Sequence, residues 1–210
     1  MPWRRAQGRR ESFGERRERR AAIDDPETVL NAAARFLEVR PRSVDEVRRH
    51  LNVAGYREDL VESAIARLLE LGMLDDRTFG QTWVESRDRA RPRGESAIRQ
   101  ELARKGLDRE LISEILDARR NGGGDGETEG PGRAEGAASP DELAAERLLR
   151  KRAAALSRVA DPRERRNRAY ALLARNGFDP EVCRKVSQSA LSIGNEAGES
   201  DGDGGANEGP

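Results

Sequence analysis

The side chains that usually carry catalysis are scarce in this chain and are not grouped along it. His50 is the only histidine and lies beside Arg48 and Arg49, which predicts a solvated ring rather than a general base. Cys183 is the only cysteine, and its place on the inner face of the last predicted helix indicates a buried structural thiol. One histidine and one cysteine do not supply a zinc site. We therefore expect no enzyme, no metal and no cofactor.

Two further patterns look like active-site motifs but have simpler explanations. The glycines at 122–124 lie in an acidic, Gly-rich run and not between a strand and a helix, so they do not predict a phosphate-binding loop. Asp75 and Asp76 are adjacent at a predicted helix start, where a carboxylate caps the helix and interacts with its dipole. Neither pattern predicts a reaction centre.

Arginines at recurring positions are the better candidates for binding chemistry, because a planar guanidinium pairs bidentately with carboxylate or phosphate. One set lies at corners between predicted helices, where the alternative role is to bind free carbonyls of the preceding helix. A second set lies just before glycines that end helices, where the alternative role is to stabilise the helix C-terminus. The candidates for partner or DNA binding are Arg40, Arg42, Arg91, Arg93, Arg104, Lys105 and Arg175.

These positions are equivalent because one pattern occurs three times, at Leu51–Tyr56, Leu102–Leu107 and Leu173–Phe178. Each copy has an apolar residue four places before the Leu, so one helix face carries both. Each has a Gly where the helix ends, since Gly adopts positive φ at least cost. Apolar residues then follow at the spacing of a second helix. The unit is a helix, a Gly turn and a helix.

The architecture that this pattern predicts is all-α, with nine helices in three tandem three-helix repeats that stack as an elongated array. Copies one and two are 51 residues apart and copies two and three are 71 apart, and a Gly- and Glu-rich insertion matches the difference. The predicted segments are a disordered basic tail (1–23), repeat 1 (24–73), repeat 2 (74–120), a disordered acidic linker (121–138), repeat 3 (139–192) and a disordered acidic tail (193–210).

The formal net charge is zero, but the charge is segregated along the chain. Residues 1–22 and 139–192 each carry a net charge of +5, whereas the insertion and the C-terminal segment are acidic. The basic N-terminal segment is either a solvated leader or a non-specific arm for nucleic acid. Without a signal peptide, a membrane span or a disulfide framework, the sequence predicts a cytoplasmic protein.

The residues at the repeat positions resemble the RecX family of regulatory proteins. The most specific parts are the run from Gly72 through Leu74, Asp75 and Asp76 to Phe79, and the run from Arg93-Gly94 to Lys105-Gly106. The resemblance implies three tandem three-helix repeats in an elongated curved array, and a non-enzymatic role in DNA repair, recombination and the SOS response. It also implies binding in the groove of the RecA–DNA filament. It implies inhibition of the recombinase and ATPase activities of RecA. The residues that carry the motif are Gly55, Gly72, Leu74, Asp75, Asp76, Phe79, Gly94, Gly106, Gly177 and Phe178.

An alternative function is an autonomous helical module that binds single- or double-stranded DNA through its two basic segments. A generic helical scaffold is a third possibility, but it leaves the recurring arginines unexplained. Excess DNA distinguishes the first two, because it would relieve inhibition by a protein that only competes for DNA.

Overall fold

The computed structural model describes residues 11–121 and 138–189, which form helices and no strand. The remaining predictions for the basic tail, the linker and the acidic tail lie outside these residues. The helices are α1 (Phe13–Ala21), α2 (Pro26–Leu37), α3 (Val44–Ala54), α4 (Glu58–Glu70), α5 (Asp76–Ala90), α6 (Glu95–Arg104), α7 (Arg109–Arg120), α8 (Pro140–Lys151), α9 (Ala153–Leu156), α10 (Pro162–Arg175) and α11 (Pro180–Ser189). None of these helices is long and apolar enough to cross a membrane.

The described residues divide into two compact units. Unit 1 contains the residues up to Gly80 together with Arg104–Leu107, and unit 2 contains Gln81–Ala103 together with the residues from Asp108 onward. The second predicted repeat therefore contributes to both units. Each unit has its own core: α2, α3 and α4 bury Val29, Val47, Leu51, Val61 and Leu68 in unit 1, and α8, α10 and α11 bury Ala144, Leu149, Leu173, Phe178 and Cys183 in unit 2.

Local capping signals place most helix starts where the sequence predicts them. Asp25, which precedes Pro26, accepts hydrogen bonds from the backbone N–H groups of Glu27 and Thr28. Ser43 and Ser139 each form a capping box with a Glu three residues later. The three repeat glycines have φ values of 101°, 86° and 80°, as the predicted turns require. Among the motif residues, Leu74, Phe79 and Phe178 are buried.

The N-terminal segment differs from the prediction of disorder, because Phe13–Ala21 forms α1. Ser12 and Glu15 form a capping box that satisfies the first turn of this helix. Arg20 donates to the backbone oxygen of Ala54 at 3.4 Å, which attaches α1 to the end of α3. None of the residues in α1 is buried, so apolar periodicity gave no signal for this helix. The four-residue α9 is a second helix beyond the nine predicted.

Candidate partner-binding surface

The first turn of α3 in unit 1 is held by side chain and backbone groups from later in the chain. The N–H of Val44 donates to the carboxylate of Asp76 at 2.8 Å, and the hydroxyl of Ser43 donates to the backbone oxygen of Lys105 at 2.5 Å. Asp76 therefore caps a neighbouring helix, whereas Asp75 caps its own helix by accepting from the N–H of Arg77 at 2.8 Å. The sequence predicted only the second of these roles.

The first turn of α6 in unit 2 is held in the same way, and we call the contacts at these two helix starts the joint at α3 and the joint at α6. The N–H of Glu95 donates to the carboxylate of Asp141 at 3.0 Å, and the N–H of Gly94 donates to the backbone oxygen of Asn176 at 3.0 Å. Glu95 and Gly94 are 51 residues after Val44 and Ser43, so the repeat conserves both hydrogen-bonded positions within this chain. The aspartate contact uses the same groups in both, whereas the donor to the backbone oxygen is the Ser43 hydroxyl in the first and the Gly94 N–H in the second.

A glycine approaches the helix start in both joints. A Cβ on Gly106 would lie 2.2 Å from the Cβ of Asp45, and a Cβ on Gly177 would lie 2.5 Å from the Cβ of Ala97. These distances are far below van der Waals contact, so each turn passes against the helix at backbone distance. The glycines that end α6 and α10 are therefore required by close packing as well as by their positive φ.

The two aspartates of the joints are partly buried, and burial raises the pKa of both Asp76 and Asp141. The hydrogen bonds that they accept from helix N–H groups lower the pKa and so oppose the effect of burial. Arg119 also opposes it at Asp141, since its side chain is only 6% exposed and contacts Asp141 at 2.5 Å and Asp88 at 2.8 Å. The network links α5, α7 and α8, and removal of one partner would leave a buried charge uncompensated.

Two of the candidate cations converge on one carboxylate in unit 1. Arg40 contacts Glu46 at 3.0 Å, and Lys105 contacts the same carboxylate oxygen at 2.7 Å. Burial would raise the pKa of Glu46, but the hydrogen bonds from Arg40 and Lys105 outweigh it and lower the pKa to about 2. The two cations therefore stabilise the contact between the first turn of α3 and the turn that follows α6.

Two further candidates are also engaged within their own unit. The guanidinium carbon of Arg42 lies 4.0 Å from the ring centroid of Phe36, and its buried Nε has no hydrogen-bond partner among the described residues. Arg93 donates to the side-chain oxygen of Asn176 at 3.0 Å and lies 3.8 Å from the carboxylate of Glu101. Neither arginine binds the free carbonyls of the preceding helix.

Arg91 and Arg175 are exposed, and their side chains make no hydrogen bond or ion pair with the described residues. Arg91 lies two residues before Arg93 and Arg175 lies directly before Asn176, so both flank the joint at the start of α6. Arg104 is exposed in the last turn of α6, and its backbone oxygen accepts from Arg49 at 3.1 Å. Arg91 and Arg175 are the candidates most accessible to a partner.

Sequence reasoning missed the groups that hold Arg119 and Arg93 in place. In the sequence, Asp141 lies within a predicted capping box and Asn176 precedes a repeat glycine. Each residue thus had a local explanation, and its tertiary contact was not predicted. Their tertiary partners become visible only when the first turns of α3 and α6 are compared position by position. His50 is exposed as predicted, but its ring stacks on that of Phe36 with centroids 3.8 Å apart. Cys183 is buried, as expected for a structural thiol, and burial raises the pKa of that thiol.

Family models match the chain in three consecutive segments. The first three-helix domain of RecX matches residues 30–68, the second matches 75–116 and the third matches 141–186. The matched segments follow the three repeats and together cover well over half of the 210 residues.

Curated relatives agree with this assignment. The chain is 38% identical over 90 residues to the regulatory protein RecX of Mycolicibacterium smegmatis, covering 43% of this chain and 48% of the relative. It is 39% identical over 88 residues to the regulatory protein RecX of Pelodictyon phaeoclathratiforme, covering 42% and 55% respectively. The chain thus spans about half the length of the curated relatives it matches.

A solved structure has a similar fold. The crystal structure of RecX from Lactobacillus salivarius superposes with a TM-score of 0.63 at 20% identity and covers 80% of this chain and 97% of that one. At this identity the likeness concerns the fold alone. The three domain matches, in the order of the repeats, show that the chain belongs to the RecX family of regulatory proteins.

Proposed function

We propose that this chain binds the RecA recombinase filament on DNA and limits its recombinase and ATPase activities, without catalysing a reaction of its own. The observation that carries this proposal is the succession of three RecX domains along the chain. Its curated relatives are named regulatory proteins, and a regulator acts through a partner. We place this action in the cytoplasm, where recombination filaments assemble on DNA.

The surface around the α6 joint is the part of the molecule that we assign to the filament. Arg91 and Arg175 are exposed and make no side-chain hydrogen bond or ion pair with described residues, so they are available to carboxylates of a protein partner. Arg93 has a different role in this proposal, because its contact with Asn176 positions the two turns that carry them. A filament repeats its surface at regular intervals, which suits a chain with repeated corners.

A second candidate function is direct binding of DNA, and the third repeat favours it. This repeat carries a net charge of +5, and several of its arginines are exposed with no side-chain hydrogen bond or ion pair to described residues. Such cations would bind phosphates with a strong dependence on salt. These arginines are Arg150, Arg152, Arg158, Arg163 and Arg166.

The ATPase activity of RecA on single-stranded DNA separates the two functions. The full chain is titrated into the reaction at a fixed RecA concentration, and the titration is repeated with increasing excess of DNA. A regulator that binds the filament still inhibits when DNA is saturating. Inhibition that disappears with excess DNA would instead favour direct DNA binding, and an unchanged ATPase rate at every concentration would contradict both functions.

A further inference from the structure

Three planar groups form a stack on the surface of unit 1. The rings of Phe36 and His50 are 3.8 Å apart at their centroids and only 2° from parallel, and the guanidinium carbon of Arg42 lies 4.0 Å from the Phe36 centroid. Two planar groups at these distances do not fit on the same face of one ring. Phe36 is therefore sandwiched, with Arg42 on one face and His50 on the other.

The stack ends in an open face at His50. Phe36 is partly buried, whereas His50 is exposed, so the face of the imidazole that turns away from Phe36 is accessible to solvent. Two exposed valines lie close by in the sequence: Val39 follows Phe36 by three residues and is 78% exposed, and Val53 follows His50 by one helical turn and is 63% exposed. The chain segments on both sides of the stack therefore carry exposed apolar side chains.

The charges nearest this face are positive. Partial burial lowers the pKa of His50, and the charges of Arg42 and Arg20 lower it further, which favours the neutral imidazole. Neither Arg42 nor Arg20 forms an ion pair with a carboxylate of the described residues. Arg20 instead donates to the backbone oxygen of Ala54 and lies over the ring of Tyr56. An anion beside His50 would meet uncompensated positive charge.

We propose that the open face of His50 stacks one unpaired base of a single nucleic-acid strand, whose adjoining phosphate lies near Arg20. Single strands are held in this way elsewhere, since bases stack on aromatic rings while cations follow the backbone. A duplex does not fit this chemistry, because its bases are already stacked and paired. The site lies within unit 1 and does not depend on the function proposed for the joint at α6.

Oligonucleotides with and without bases test the site directly. Fluorescence anisotropy of the full chain, with RecA absent, is measured with a labelled oligo(dT) of 15 nucleotides and with an abasic strand of the same length and charge. We expect His50→Ala to weaken oligo(dT) binding about tenfold, or ~1.4 kcal/mol, and to leave abasic binding unchanged. His50→Trp should restore binding, because it replaces the lost stacking surface.

The control is Asn52→Ala, which changes an exposed side chain on the same helix without touching the stack. His50 is exposed, so we expect equal melting temperatures for all three variants. The proposal is overturned if oligo(dT) does not bind, if His50→Ala binds it as tightly as the unsubstituted chain, or if both strands are weakened equally. Equal affinity for duplex DNA would also contradict it. A site for an aromatic side chain of a protein would give the first of these results.

Discussion

Glu46 shows how one side chain in this chain serves both a helix and a tertiary contact. It forms the capping box of α3 with Ser43, and it accepts hydrogen bonds from Arg40 and Lys105. Lys105 stands 59 residues further along the chain, so this carboxylate links the start of α3 to the turn after α6. The sequence predicts the cap from the spacing of Ser43 and Glu46, but it does not predict the two cations.

Glu46→Gln isolates the charge, because Gln also completes a capping box. At pH 7 we expect the free energy of unfolding to fall by about 2 kcal/mol, as hydrogen bonds to a charged group are lost. The pKa of Glu46 is about 2 in the folded chain, below its ordinary value of 4.5. This stabilisation is therefore complete above pH 4.5 and is lost as the pH falls toward 2.

Urea unfolding of both proteins between pH 7 and pH 3 measures this difference. Glu62→Gln is the matched control, because Glu62 pairs with Arg48 on the surface and should contribute well under about 1 kcal/mol. If the two substitutions have equal effects, or if the effect of Glu46→Gln is the same at every pH, the ion cluster does not stabilise unit 1.

At the scale of elements, a turn glycine in each joint packs against the start of a helix so closely that a Cβ on it would clash. Gly94 is the sharpest example, because its φ is not positive and only the close approach explains it. A Cβ on Gly94 would lie 2.2 Å from the backbone oxygen of Gly177. The oxygen belongs to the main chain, so it cannot move aside as the end of a side chain would.

Gly94→Ala should therefore destabilise the chain by at least about 2 kcal/mol, as expected for overpacking. Gly14→Ala is the control, because Gly14 lies in α1 and a Cβ there would meet only the hydroxyl oxygen of Ser12, at 4.0 Å, which is ordinary van der Waals contact. Ala is a better helix former than Gly, and Gly14 lies in the first turn of α1, so this change should be neutral or slightly stabilising. Thermal unfolding followed by circular dichroism measures both. An unchanged melting temperature for Gly94→Ala would contradict the packing described for this joint.

Much of the helical structure can be predicted from the sequence, since caps and turn glycines are local signals. Ser43, Ser139 and Asp25 mark their helix starts, and the apolar stripes identify the faces that are buried. α1 was missed because it contributes no buried residue, although Ser12 and Glu15 had the spacing of a capping box. Burial patterns detect helices that build a core and do not detect a helix held by its arginines.

The candidate site could be predicted only in part. The recurring spacing identified the arginines as candidates, but it did not distinguish those engaged in internal contacts from those left exposed. Arg93 and Arg91 differ by two positions, yet only Arg93 contacts Asn176. That distinction depends on tertiary packing between residues 83 positions apart, which local patterns do not encode.

At the scale of the whole molecule, the function that we propose requires a single property, which is binding to a RecA filament. Co-sedimentation measures it directly: RecA filaments on single-stranded DNA are pelleted in the presence of a slowly hydrolysed ATP analogue, and the bound fraction of this chain is determined. The critical variant is Arg91→Ala with Arg175→Ala. Its matched control is Arg35→Ala with Arg109→Ala, which removes the same charge from other exposed positions without a described partner.

We expect the unsubstituted chain and the control to pellet with the filament and to saturate at similar concentrations. The Arg91 and Arg175 variant should bind at least about tenfold more weakly, or ~1.4 kcal/mol, with an unchanged melting temperature. Equal weakening by the control would mean that total charge, and not this joint, carries the interaction. If the unsubstituted chain stays in the supernatant at every filament concentration, the proposed function is wrong.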